Sequence, residues 1–570
     1  MSAKAPLKVV LCWHMHQPYY RDAESGRYQL PWTYLHGIKD YVDMAALLEA
    51  NPQARAVVNF TPTLLEQISD YVEQIEAHLA QQTPLRDPLL AALAGESLPQ
   101  ERKAREGLIR AALRANETHL IKRFPAYRQL AELAERVLKH PVNVPYLSDQ
   151  YLADLLVWYH LAWLGETVRL EDGRIQTLLA KRHGYGIAER RTLLAVIGEL
   201  LQGLVGRYRR LAEAQRIELS VTPYAHPIVP LLIDVATTAE AMPEAPLPAE
   251  GSYPGGRERA KWHIEHGVKV FEEYFGFPPA GCWPSEGALS EATLTLLDEA
   301  GFKWSASGES VLRNSLHRSE VSSHGCIHRP YRLDKLPLTC FFRDDGLSDL
   351  IGFTYADWHA EDAVNNLLHH LENIAAACKD EPNRVVSIIM DGENAWEYYP
   401  ENGYHFLTCL YQQLADSPHI QLTTFSECLD QQCEAQPLRH LVAGSWVYGT
   451  FSTWIGDAQK NRAWDLLIEA KRAFDRVIAE GRLSPEQQAL AEHQLALCEG
   501  SDWFWWFGDY NPADSVRDFD RLYRLQLRAL YEALAMTPPA QLDQVIATGG
   551  AEAEAGGVMR RGTEHAGHHG

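Results

Sequence analysis

Residues 384–391 read RVVSIIMD, and the chain continues GENAWEYYP to residue 400. The run is apolar without alternation, has the length of a strand, and ends in a carboxylate followed by glycine. A half-buried strand alternates apolar and polar residues, whereas a parallel strand covered on both faces reads as one continuous apolar run. Similar runs recur: LKVVLCW (7–13), ARAVVNF (54–60), RIELSVT (216–222), AGCWP (280–284), FKWSAS (302–307) and DLIGF (349–353). Helical patterns separate them, so the chain is expected to be an α/β protein built on an incomplete (β/α)7 TIM-like barrel.

The spacing is uneven. Residues 64–215 are helical by pattern, as in LPQERKAREGLIRAALRANETHLIKRF (98–124) and AERRTLLAVIGELLQGLVGRYRRLAEAQ (188–215), and read as a large helical insertion. Long amphipathic stretches follow residue 455, such as AWDLLIEAKRAFDRVIAEG (463–481), each with one apolar stripe. The expected organisation is a catalytic barrel at 1–430 with its insertion, a C-terminal helical domain at 431–545 contributing to the cleft, and a disordered Gly- and Ala-rich tail at 546–570.

Composition narrows the function. The 570 residues carry 53 Lys plus Arg against 75 Asp plus Glu, a formal charge of −22. That surplus repels phosphate backbones, so nucleic acid is not an expected partner, while a neutral polymer meets no such barrier. No stretch approaches the ~20 apolar residues of a membrane span, and the N-terminal apolar run is too short for a secretory signal. The nine cysteines are odd in number, scattered and without CxxC spacing, which fits reduced thiols better than a disulfide frame or a zinc site. A cytoplasmic, membrane-free protein is expected, with its oligomeric state open.

In an α/β barrel, functional groups gather where the strands end. Those positions hold His14, His16 and Gln17; then His226; then Trp283 and Glu286; and finally Asp391, Glu393, Trp396 and Glu397. Taken singly each has a plainer reading. Asp391 could cap a helix, Glu286 could favour a helix N-terminus, and the histidines could be satisfied structural residues. Two carboxyls on one rim beside indoles suit glycoside hydrolysis, in which one attacks and the other protonates the leaving oxygen. The segment SDWFWWFG (501–508) adds Asp502, a charge heading an apolar block, and GSWVYGTFSTWIG (444–456) adds Trp446 and Trp454. The rival reading is a metal-dependent hydrolase, with His14, His16, His226 and Asp391 as ligands. A third is a glucan-binding protein without catalysis.

Five separated motifs, HMHQP (14–18), ELSVTPYAHPI (218–228), CWPSEG (282–287), IIMDGENAW (388–396) and GSDWFWWFG (500–508), occur in the order of glycoside hydrolase family 57. The sequence resembles that family of α-glucan-active enzymes, most closely its α-amylase and amylopullulanase members. The resemblance implies Glu286 as nucleophile of a retaining mechanism and Asp391 as general acid/base. It implies sugar contacts from His16 and His226, with His14 less firmly matched, stacking by Trp283, Trp396 and Trp503, and Asp502 as the acid of the fifth motif. It implies no cofactor and no metal for the chemistry. The expected substrate is an α-glucan such as glycogen, starch or maltodextrin, cut at α-1,4 bonds with α-1,6 left open. The same family contains 4-α-glucanotransferases and branching enzymes, so glucosyl transfer is the alternative within it.

Overall fold

The computed structural model describes residues 6–319, 326–334, 336–379, 381 and 383–550. Ten strands form one sheet: β1 (Leu7–Met15), β2 (Ala56–Phe60), β3 (Ile217–Val221), β4 (Gly281–Cys282), β5 (Trp304–Gly308), β6 (Tyr331–Leu333), β7 (Thr339–Arg343), β8 (Val385–Asp391), β9 (Ile420–Thr423) and β10 (Gln436–Leu438). Seven of them, β1 to β5 with β7 and β8, run parallel and close into a barrel. The closing seam joins Arg343 to Ser387. β6 and β10 extend the sheet outside the ring, and β9 lies along the first residues of β1.

Alternation along the strands sorts side chains between two cores. Val10 and Cys12 of β1 point inward with Val57, Ala306, Phe341, Val385 and Ile389, forming the barrel interior. Val9, Leu11 and Trp13 point outward beneath the helices. Both faces are therefore covered, which is why the strands read as continuous apolar runs. Two steps up from Cys12 on the inward face comes His14, in register with Asn59 of β2 and Asp391 of β8. The period of two thus delivers polar side chains to the barrel mouth.

One expected strand is absent. Residues 350–354 form a π-helical turn after the helix Asp345–Asp349, and the sixth barrel strand is TCFFR, Thr339–Arg343. Within DLIGF only Ile351 is buried and Phe353 is 54% exposed, so the run never had two covered faces. A short apolar run does not distinguish strand from helix by pattern.

Between β2 and β3 the chain is helical, from Pro62–Gln81 to Ile187–Glu213. After β10 come the helices Ala458–Ala479, Pro485–Cys498, Asp502–Trp506 and Ala513–Ala533. Ile546 and Ala547 donate backbone N–H groups to Asp520, which fixes the chain past the last long helix. The remainder of the expected tail, 551–570, lies outside the described residues. No helix among the described residues is long and apolar enough to cross a membrane.

Candidate active site

Glu286 sits on the turn after β4. That strand is only two residues long, and a Cβ at Gly281 would lie 1.8 Å from the Trp304 ring, so only glycine lets the chain pass. The turn then carries Glu286 into the left-handed region, at φ 58° and ψ 23°. His226 does the same at φ 57°. Such conformations cost a non-glycine residue about 1–2 kcal/mol and collect at functional sites. The Trp446 indole N–H donates to Glu286 Oε2 at 2.9 Å, and its backbone N–H donates to the Glu286 carbonyl at 3.0 Å. The carboxylate is thus clamped from a segment 160 residues downstream.

Asp391 ends β8 and accepts a hydrogen bond from Asn394 Nδ2 at 2.5 Å. The next residue is glycine, and a Cβ on Gly392 would meet Met15 Sδ at 2.2 Å and require that side chain to shift. Glu286 and Asp391 line one cleft of about 860 Å³, with Trp446, Trp505 and Arg343, and with Asn116 and His119 from the helical segment between β2 and β3. Burial, then the Asp391 charge, push the Glu286 carboxyl well above its ordinary range. Burial also raises Asp391, against the opposing pull of Asn394, His16 and Arg343. Burial and the neighbouring Asp391 charge both disfavour the ionised form of Glu286.

The three histidines form a stack beside the carboxyls. His16 lies over His226 with ring centroids 3.8 Å apart, and His14 packs 5.2 Å from His226. Their hydrogen bonds fix the tautomers. Asn59 Oδ1 accepts from His14 Nδ1–H at 2.7 Å, leaving His14 Nε2 to accept from His226 Nε2–H at 3.2 Å. The Ser501 hydroxyl then donates to His226 Nδ1 at 2.8 Å. Burial pushes His14 down to about 3 and His226 well below its usual value, so both stay neutral. His16 donates from Nε2 to Asp502 at 2.8 Å, and its buried Nδ1 has no protein partner.

The donor atoms of these histidines lie within 4.8 Å of one another, which invites the metal reading. The ring planes argue against it. An imidazole binds metal along a lone pair in its own plane at about 2.0–2.1 Å. His16 and His226 are 12° from parallel and His14 and His226 are 19° from parallel, so their lone pairs do not converge on one point. Both nitrogens of His14 and of His226 are already taken, by Asn59, by Ser501 and by the bond between the two rings.

The family model for glycosyl hydrolase family 57 matches residues 10–439. The chain belongs to glycosyl hydrolase family 57. A search of curated proteins by sequence finds no match. Among solved structures, the chain is similar to a family 57 branching enzyme from Thermococcus kodakaraensis, at 14% identity and TM-score 0.58, covering 92% of this chain and 90% of that one. It is similar to a branching enzyme of the same type from Pyrococcus horikoshii, at 14% identity and TM-score 0.56, covering 98% and 99%. It is also similar to the α-amylase AmyC from Thermotoga maritima, at 15% identity and TM-score 0.54, covering 93% and 97%. At these identities the structural likeness shows the fold. Family 57 consists of glycoside hydrolases and transferases acting on α-glucans, and the chain is an enzyme of that class.

Within this family 57 barrel, the site residues expected from sequence separate into two groups. Glu286 and Asp391 line the cleft, while His14, His16, His226 and Asp502 form a buried hydrogen-bonded network beside them. The three expected stacking indoles do not reach the cleft. Trp283 is 0% exposed inside the barrel, Trp396 is 1% exposed against Trp13, and Trp503 is 1% exposed against Tyr523. Protein atoms cover the faces a sugar would use. The indoles that do line the cleft are Trp446 and Trp505. Glu393 is buried, is not among the residues lining the cleft, and accepts from Gln17 at 3.3 Å.

Two residues escaped the sequence reading. Arg343 ends β7, donates to the Ile389 carbonyl, pairs with Asp345 and Asp349, and lies 5.3 Å from the Trp446 ring. The signal was an arginine closing the short run TCFFR. Asn59, one residue before the end of β2, binds His14 and Ser220. An amide one residue from the end of ARAVVNF was its only mark.

Proposed function

We propose that the chain is a retaining α-glucan hydrolase cutting α-1,4 glucosidic bonds of glycogen, starch or maltodextrin, with Glu286 as nucleophile and Asp391 as general acid/base. The observation that carries this reading is that the buried Glu286 carboxyl and the half-buried Asp391 carboxyl line one cleft together with Trp446 and Trp505. Retaining hydrolysis needs one carboxylate to attack the anomeric carbon and one carboxylic acid to protonate the glycosidic oxygen. That asymmetry calls for one proton between the two carboxyls. In the empty cleft Glu286 is pushed up further than Asp391, whose rise Asn394, His16 and Arg343 oppose. Positive charge developing at the anomeric carbon favours the Glu286 anion, and the bound glycosidic oxygen calls the proton to Asp391. The Trp446 N–H also favours ionised Glu286 and aims it. His16 Nδ1, with Nε2–H committed to Asp502, is an acceptor waiting for a sugar hydroxyl.

The test is product analysis with maltoheptaose and amylopectin, with and without chelator. Shorter maltooligosaccharides with retained anomeric configuration, unaffected by chelator, are expected. Products longer than the starting oligosaccharide, or newly branched ones, would instead assign glucosyl transfer. Loss of activity with chelator would return the histidines to a metal role, and binding without turnover would leave only glucan recognition. Asp391→Asn should lower kcat about 10²–10⁴-fold, and Glu286→Gln about 10⁴-fold or more. A near-normal rate in either variant removes that residue from the mechanism.

A further inference from the structure

We infer that Cys326, His328 and Cys378 form a binding site for a zinc-class divalent ion, outside the catalytic cleft. The two cysteines are 52 residues apart in sequence, yet their Sγ atoms lie 3.6 Å apart. One ligand atom from each of the three residues falls within 4.8 Å of the others. Two sulfurs bound to one tetrahedral zinc at 2.3 Å are about 3.8 Å apart. The observed separation is near that edge and far from the ~2.05 Å of a disulfide. The thiols are therefore spaced for an ion between them.

The histidine is oriented to match. Its Nε2 is held by Asp344 Oδ2 at 2.8 Å, so Nδ1 is the nitrogen left for an ion. A carboxylate that fixes the far nitrogen of a ligand histidine sets its tautomer and raises its basicity, as in most protein metal sites. Asp344 is itself fixed: its Oδ1 accepts from Leu347 N–H, and its own N–H donates to the Ser387 carbonyl. The His328 carbonyl accepts from Val385 N–H, anchoring the ligand segment to the start of β8. All three ligands are partly exposed, so an ion can enter, and three protein donors leave a fourth position for water.

The ion would act as a clasp. It would tie the segment carrying Cys326 and His328 to the end of the helix Ala360–Ala377, after which Cys378 falls. Asp344 links the clasp to Arg343, which lines the cleft.

The experiment uses the full chain, reduced and stripped of metal, titrated with Zn²⁺ and separately with Co²⁺. One equivalent of tight Zn²⁺ and a thiolate-to-cobalt charge-transfer band are expected, both lost in Cys326→Ser and in Cys378→Ser. Asp344→Asn keeps the hydrogen bond to Leu347 and should weaken Zn²⁺ about 10- to 100-fold. Thermal melts of each variant without metal separate ligand loss from misfolding. Failure of the reduced, folded chain to give the cobalt band overturns the site. So does a band that survives in both cysteine variants, or tight zinc that persists without thiolate absorption. Hydrolysis of maltoheptaose is read in parallel, so failure of the clasp and failure of the catalytic reading are separate results.

Discussion

At the scale of the residue, Trp446 does the work that the sequence offered to Trp283. Both are tryptophans beside Glu286, but Trp283 fills the barrel interior while Trp446 donates to the carboxylate and walls the cleft. Sequence pattern fixes that an indole is near a turn, not which way it points, so inward and outward tryptophans look alike. Removing the donor in Trp446→Phe should raise the Glu286 pKa, since that hydrogen bond favours the charged form. A hydrogen bond to a charged group contributes about 1.5–3 kcal/mol, and one pH unit is about 1.4 kcal/mol. The acid limb of kcat/KM is expected to move up by about one pH unit, with a lower plateau. A pH–rate profile on a soluble maltooligosaccharide checks this, and an unmoved limb would leave Trp446 with stacking alone.

At the scale of the element, the helix Gly256–Phe275 is bound to the end of the helix Pro485–Cys498 through one buried carboxylate. Glu499 accepts from Arg259 at 2.8 Å and from His263 at 2.7 Å, and Tyr253 also donates to it. Burial alone would raise this acid, but Arg259 and then His263 outweigh it and bring it to about 2. Its contribution to stability is therefore complete above the ordinary carboxyl value of 4.5 and is lost as pH falls toward about 2. Glu499→Gln leaves buried Arg259 with only the half-exposed Glu492 at 3.7 Å as counter-charge and should cost about 3 kcal/mol. Urea unfolding at pH 7 and at pH 3 reads this, with the larger deficit at pH 7. Ser501 and Asp502 follow directly, so the same variant should also weaken substrate binding through His226 and His16. Continuous apolar runs made most of the barrel legible in the sequence. β7 was not, because five residues between a proline-containing loop and a charged turn carry too little pattern. Nor was the Cys326–Cys378 pair, since only the fold brings residues that far apart together.

At the scale of the whole molecule, the cleft is a place where stability is given up. A carboxyl raised by burial supports the fold only while protonated, so its contribution is present below the unfolded value of 4.5 and lost as pH rises through the folded value. Glu286→Gln removes that loss. It should melt about 1–3 °C above the parent at pH 8 and level with it at pH 4. Equal melting at both pH values would mean that Glu286 carries no such strain. The net charge of −22 bears on the same surface, since a neutral glucan reaches the cleft without the repulsion an anionic polymer meets.

The family match ends at residue 439, whereas the partners of His226, His16 and Glu286 are Ser501, Asp502 and Trp446. A chain shortened to the matched segment would keep both carboxyls and Asn394 but lose the partners of Glu286, His16 and His226. Heredity follows the same line: the barrel and the helices after it have to vary together, and a swap of either half between relatives breaks the site unless its partner travels with it.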